Sequence, residues 1–61
     1  MNGKQAIKIL QAAGWSMTRI NGSHHMLKKG SVTVPVPVHG HHDLGIGLLK
    51  KIEQQTGVKL I

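Results

Sequence analysis

The sequence predicts an α+β fold with the element order αβββα, a three-stranded antiparallel sheet with two helices on one face. Three observations lead to this prediction. Apolar residues recur at helical spacing in one segment near each end of the chain. Three short runs between them read as strands and are separated by glycine-containing turns. No repeat or linker divides the 61 residues, so we expect a single domain over residues 1–61.

The first helix is expected at about residues 3–13. Asn2 and Gln5 have the spacing of a capping box, with Asn in place of the usual Ser or Thr. Gly14 suits the position just after the helix, and Trp15 beyond it can fold back onto the last turn. We therefore assign Trp15 to the core and not to base stacking. The apolar residues at helical spacing are Ala6, Ile7, Leu10 and Ala13.

Three strands are expected next, at residues 15–20, 24–29 and 31–36. Pro35 and Pro37 cannot donate hydrogen bonds to a neighbouring strand. The third strand must therefore lie at an edge of the sheet or end at these prolines.

The register of the first hairpin decides which face His24 occupies. Asn21-Gly22 is a strong turn signal, and a two-residue turn would pair Ile20 with Ser23 and put His24 on the apolar face. A three-residue loop would instead pair Ile20 with His24. We prefer this longer loop, because a one-residue slip exchanges the faces and the loop separates apolar from polar side chains better. It gathers Trp15, Met17 and Leu27 on one face and leaves Ser16, Thr18, His24, Met26 and Lys28 on the other.

The C-terminal part of the chain is interpreted as a loop followed by a helix. Residues 38–45 are rich in His and Gly, and the second helix is expected at about residues 46–56. Gly57 would end this helix, with Val58 packing back on it in a Schellman motif. The inward residues of the helix are predicted to be Leu48, Leu49 and Ile52.

The charge of the chain points to an anionic partner. Eight Lys or Arg stand against two acidic residues, a net charge of +6 with five histidines uncounted. Asp43 and Glu53 cannot form the carboxylate cluster of a two-metal nuclease, and nothing supports a glycosidase pair. With no Tyr or Phe, the stacking platforms of single-strand binders are absent. Histidine is therefore the candidate for any chemistry.

Location is indicated by what the sequence lacks. It has no cysteine, no signal segment and no apolar run of about 20 residues. We expect a cytoplasmic protein that does not contact a membrane.

Several motifs together resemble one known family, the HicA (YcfA-like) toxins. The most specific is Gly22-Ser23-His24-His25, and the resemblance covers essentially the whole chain. It implies a fold similar to a double-stranded-RNA-binding domain, mRNA interferase activity, catalysis by His24 and a HicB-type antitoxin as partner. Leu48, Glu53 and Thr56 depart from the family's usual residues and affect the second helix. The other matching segments are Gly14-Trp15, Arg19, Val32-Thr33-Val34-Pro35, Gly47-x-Leu49 and Gln55-x-Gly57.

The chemistry implied for His24 is general base catalysis. A neutral imidazole can take a proton from a ribose 2′-hydroxyl, and the alkoxide then attacks the adjacent phosphodiester. This route needs no metal ion or other cofactor, and it spares DNA, which lacks the 2′-hydroxyl. Donors to the phosphate are expected among Arg19, Gly22, Ser23 and Lys28.

The histidine-rich loop is a weak metal candidate. His39, His41 and His42 have no cysteine beside them and at most Asp43 to assist. We therefore predict no metal site. His25 should point to the opposite face from His24 and be structural.

A second function remains open, a non-catalytic RNA-binding module with the same fold. Lys28, Lys50 and Lys51 would then contact phosphates, and His24 would be dispensable. The enzyme is favoured because the Gly-Ser-His-His segment gives the base a specific position. In that case an acidic antitoxin should cover the face near His24, with Arg19, Lys28 and Lys50 or Lys51 near its acids.

Overall fold

The computed structural model describes residues 1–61 and has the predicted order of elements, helix, three strands and helix. The three strands form one antiparallel sheet in the order β1-β2-β3. This confirms the predicted fold class. The elements are α1 (Gly3–Ala12), β1 (Ser16–Asn21), β2 (His24–Lys29), β3 (Val32–Pro37) and α2 (Ile46–Thr56).

Helix α1 begins and ends at the predicted signals. The Asn2 side chain accepts the backbone N–H of Gln5, and the Gln5 side chain accepts that of Asn2, both at 2.9 Å. At the other end Gly14 has φ 97, and the N–H of Trp15 donates to the carbonyl oxygen of Leu10 at 3.0 Å. These bonds form a capping box and a Schellman motif, which satisfy backbone groups that a helix leaves unpaired.

The first hairpin has a different register from the one predicted. Asn21 pairs with His24 across a two-residue turn, Gly22-Ser23, and Ile20 pairs with His25. The predicted pairing of Ile20 with His24 is therefore wrong, and so is the alternative with Ser23. In this turn the first central residue is a glycine at φ 61 and the second has a negative φ, the signature of a type II′ turn.

The two-residue turn, continued by regular pairing, would put Met17 and Leu27 on opposite faces of the sheet. A β-bulge in β1 keeps them on the same face. The register shifts between Met17, which pairs with Leu27, and Arg19, which pairs with Met26. Thr18 is the extra residue, and its hydroxyl lies 3.3 Å from the Met26 carbonyl oxygen, to which it donates. The predicted location of Met17 and Leu27 on one face is thus confirmed, and Arg19 faces the opposite side.

The core lies between the two helices and one face of the sheet, called here the inner face. It contains ten buried apolar residues from both helices, β2, β3, the connection between α1 and β1, and the C-terminal segment. The opposite, outer face of the sheet is not covered by any element. Strand β3 lies at an edge, as its two prolines require. The core residues are Ala6, Ile7, Leu10, Trp15, Leu27, Val34, Val36, Leu49, Ile52 and Leu60.

Helix α2 has the predicted bounds but ends in a different cap. Gly57 has φ 72, and its N–H donates to the carbonyl oxygen of Glu53 at 2.7 Å. The N–H of Val58 donates instead to the hydroxyl of Thr56 at 3.1 Å. The predicted Schellman motif is therefore replaced by the simpler left-handed cap, because the Thr56 side chain takes the second donor. Neither helix has the length and apolar composition needed to cross a bilayer.

Candidate functional site

The outer face of the sheet brings together the side chains that the sequence singled out. Strand pairing puts three rows of residues across this face, each centred on a residue of β2. The rows are Asn21–His24–Pro37, Arg19–Met26–Pro35 and Ser16–Lys28–Thr33.

His24 is the first residue of β2 and lies directly after the Gly22-Ser23 turn. Its side chain is exposed and lies on the side of the sheet away from the helices. The turn itself is anchored, because the Ser23 carbonyl oxygen accepts the N–H of Val38 at 2.7 Å. A two-residue turn held at both ends fixes where the imidazole projects.

The turn also presents unused hydrogen-bond donors. Neither the N–H of Gly22 nor that of Ser23 donates to a backbone carbonyl group. A Cβ on Gly22 would meet nothing within 4 Å, so the approach to these groups is open. Backbone N–H groups in such a position can bind an anionic oxygen beside His24.

Electrostatically, the outer face is purely cationic. Arg19 and Lys28 are exposed, and neither forms an ion pair. One acid, Asp43, lies 3.4 Å from the terminal amino group. The other, Glu53, accepts backbone N–H groups near the C-terminus. With both acids engaged elsewhere, the charge of Arg19 and Lys28 is left to attract an anionic ligand.

A shallow depression lies on the same face of the sheet as His24. The sequence predicted Arg19 and Lys28 as RNA-binding residues and put Thr18 on this face, but it did not predict the contribution of Thr33. The only signal for Thr33 was a polar residue inside the Val32-Thr33-Val34-Pro35 segment. The depression is lined by Thr18, Arg19, Met26, Lys28 and Thr33.

His25 and Trp15 lie on the core side, as predicted. His25 is half-buried between Ile20 and Val36, and its Nδ1 lies 3.4 Å from the Ser23 carbonyl oxygen. Trp15 is only 5% exposed, which excludes base stacking on its ring.

The histidine-rich loop does not converge on a common point. His39, His41 and His42 are exposed, and Asp43 is drawn toward the N-terminus by its bridge with Asn2. No group of three His, Cys, Asp or Glu side chains is arranged to hold a metal ion.

The two lysines of α2 are separated from the outer face. Lys50 and Lys51 are exposed residues of the helical layer, whereas Lys28 lies on the other side of the sheet. A second depression, lined by Glu53, Gly57, Val58, Lys59 and Ile61, also lies in the helical layer.

Comparison with known proteins identifies the family. A model of the family described as HicA toxin of bacterial toxin-antitoxin matches residues 3–58, which leaves out two residues at the N-terminus and three at the C-terminus. The matched range includes every helix and strand and all residues of the candidate site. No curated protein matches the chain. The chain therefore belongs to the family of HicA toxins from bacterial toxin–antitoxin systems.

Proposed function

We propose that this toxin is an endoribonuclease that cuts mRNA without a metal ion and uses His24 as its general base. The observation that carries the proposal is the position of His24. It is exposed on an uncovered sheet face, beside free backbone N–H groups, on the same face as two unpaired cations. A base, donors for a phosphate and room for a polymer thus occur together.

The reaction follows from the chemistry of imidazole and ribose. A ring nitrogen of neutral His24 takes the proton of the 2′-hydroxyl, and the 2′-oxygen forms a bond to the adjacent phosphorus. The bond from phosphorus to the 5′-oxygen breaks, and the leaving oxygen takes a proton from water or a protonated side chain of the site. The products are a 2′,3′-cyclic phosphate and a 5′-hydroxyl.

Negative charge grows on the phosphoryl oxygens during this step and needs fixed donors. The N–H groups of Gly22 and Ser23 directly precede His24 and are held by the anchored turn. Arg19 and Lys28, on the same face, attract the neighbouring RNA backbone by their positive charge. We assign these four residues to RNA binding.

A HicB-type antitoxin is the proposed protein partner. The outer face carries Arg19, Lys28 and no carboxylate, in a chain of net charge +6. An acidic protein would be steered to this face and would exclude RNA sterically. Inhibition then needs no change in His24.

The test is cleavage of a labelled mRNA by purified protein in the presence of EDTA. We expect cleavage by the wild type and by His42→Ala, a control that removes an exposed loop histidine. His24→Ala should lose it. Cutting that persists unchanged in His24→Ala would refute the assigned base, and full inhibition by EDTA would refute the metal-independent route.

The same assay separates the alternative, a non-catalytic RNA-binding module. Such a module would bind RNA and leave it intact. It would also contact phosphates through Lys28, Lys50 and Lys51, which lie on opposite sides of the sheet. This separation favours the enzyme.

A further inference from the structure

We propose that the depression lined by Thr18, Arg19, Met26, Lys28 and Thr33 binds a second phosphate of the RNA, next to the one that is cut. The inference rests on the proposed function and extends it by assigning two phosphates of the RNA to different parts of this face. The turn beside His24 would hold the scissile phosphate, and the depression would hold its neighbour.

The depression contains the groups that bind a phosphate dianion or diester. Arg19 and Lys28 contribute two positive charges with no carboxylate partner. Thr33 adds a hydroxyl on the same face, opposite Lys28 in the strand pairing. Arginine, lysine and threonine are among the usual donors to phosphate oxygens in nucleic-acid complexes.

The β-bulge is what brings Arg19 to this surface. Residues alternate between faces along a regular strand, so with Met17 on the inner face Arg19 would also point inward. The extra residue, Thr18, breaks this alternation and sets Arg19 opposite Met26 on the outer face. Bulges commonly re-aim a side chain beside a functional site. A departure from regular pairing that turns a cation outward is consistent with a binding role for Arg19.

The distance from His24 distinguishes the depression from the site of cleavage. His24 does not line it. Met26 and Lys28 follow His24 by two and four residues on the same face of β2, which corresponds to about 7 and 13 Å along a strand. This is the range in which the next phosphates of an extended RNA strand would lie. Half-buried Met26 is the apolar residue in the lining of the depression.

Binding without cleavage gives a direct test. The probe is a 2′-methoxy oligonucleotide with the sequence around a mapped cut, in which one phosphate at a time is replaced by a neutral methylphosphonate. In the wild type, we expect replacement at one position beside the cut to weaken binding roughly tenfold. In the double variant Arg19→Met with Lys28→Met, the same replacement should have no further effect.

Control variants separate the depression from general charge and from the fold. Lys8→Met removes an exposed lysine of α1 and should leave the response to each methylphosphonate unchanged. Thr33→Val keeps the β-branched shape and should weaken binding by about threefold. On cleavable RNA the double variant should raise KM and keep kcat, whereas His24→Ala should lose kcat.

The outcomes distinguish the inference from the proposed function. If the wild type cuts RNA and no methylphosphonate position depends on Arg19 and Lys28, the second phosphate site is wrong and the nuclease stands. If the wild type does not cut RNA, the nuclease and the inference both fall. Loss of antitoxin binding with unchanged RNA binding in the double variant would assign the depression to a protein and overturn the inference.

Discussion

His24 and His25 are adjacent in the chain and point to opposite faces of the sheet. His24 lies exposed on the outer face, between Asn21 and Pro37 of the neighbouring strands. His25 is half-buried on the inner face, with its Nδ1 at 3.4 Å from the carbonyl oxygen of Ser23. The two histidines therefore have different surroundings, open solvent for His24 and the inner side of the turn for His25.

This difference predicts opposite responses to the same substitution. His24→Ala should lower the cleavage rate by about 10²–10⁴-fold, the usual contribution of a general base, and leave stability nearly unchanged. His25→Ala should lower the free energy of unfolding by about 1 kcal/mol and keep most of the activity. Cleavage assays and urea denaturation of both variants check this. Equal losses of activity at unchanged stability would contradict the separation of roles.

The proposed reaction predicts a dependence on pH and on the sugar. Cleavage should rise with pH, because a general base must be unprotonated to act, until a group needed as an acid is deprotonated. A 2′-deoxy nucleotide at the cut should abolish cleavage, because the attacking oxygen is missing. The measurement is the initial rate on an RNA with a single mapped cut and on its 2′-deoxy counterpart. Efficient cutting of the 2′-deoxy substrate would exclude internal attack.

The helices were predictable because their signals are local. The capping residues Asn2 and Gln5 and the glycines that end the helices act within one turn of the chain. The location of His24 on the outer face was correct although it was predicted from the wrong register, because alternation along β2 puts His24 opposite to the buried Leu27. The C-terminal cap of α2 was predicted wrongly. The N–H of Val58 donates to the hydroxyl of Thr56, whereas a Schellman motif would have it donate to a backbone carbonyl group.

The register of the first hairpin was not predictable from the same signals. Gly22 fits the second central position of a type I′ turn formed by Asn21-Gly22. It fits equally the first central position of a type II′ turn formed by Gly22-Ser23. The bulge at Thr18 has no sequence signature, and it is fixed only when Met17 and Leu27 must share the inner face. Arg19 therefore lies on the outer face because packing on the inner face requires the bulge. Its place beside Lys28 and Thr33 needed the three-dimensional structure.

Gly3 is predicted to be essential for packing at the start of α1. A Cβ at this position would overlap the carbonyl oxygen of Pro37 and the side chain of Val38. Gly3→Ala should therefore destabilise the protein by about 1–3 kcal/mol, as overpacking does. Gly47→Ala is the matched control, since a Cβ there meets nothing within 4 Å, and it should stabilise α2 by about 0.5–1 kcal/mol. Thermal unfolding of both variants tests the contrast.

Glu53 is predicted to make stability depend on pH. The backbone N–H groups of Ile61 and Leu60 donate to its carboxylate and hold the Glu53 pKa below its usual range. The folded state therefore binds this proton less readily than the unfolded chain. The stabilisation is present above about pH 4.3, the usual value for glutamate, and is lost as pH falls through the lowered pKa. Urea denaturation across this range should show a difference between the wild type and Glu53→Gln at neutral pH that disappears in acid.

The last prediction concerns the antitoxin, which we expect to be an acidic protein that covers the outer face. Charge reversal at Arg19 or Lys28 should slow its association, and more strongly at low salt, because these cations lie on that face without carboxylate partners. Lys8→Glu, on exposed helix α1, is the control for net charge. His24→Ala should lose toxicity and still co-purify with the partner, since a neutral imidazole contributes little to steering. Stopped-flow association and an RNA protection assay measure these effects. Cleavage at full rate by the bound complex would refute occlusion of His24.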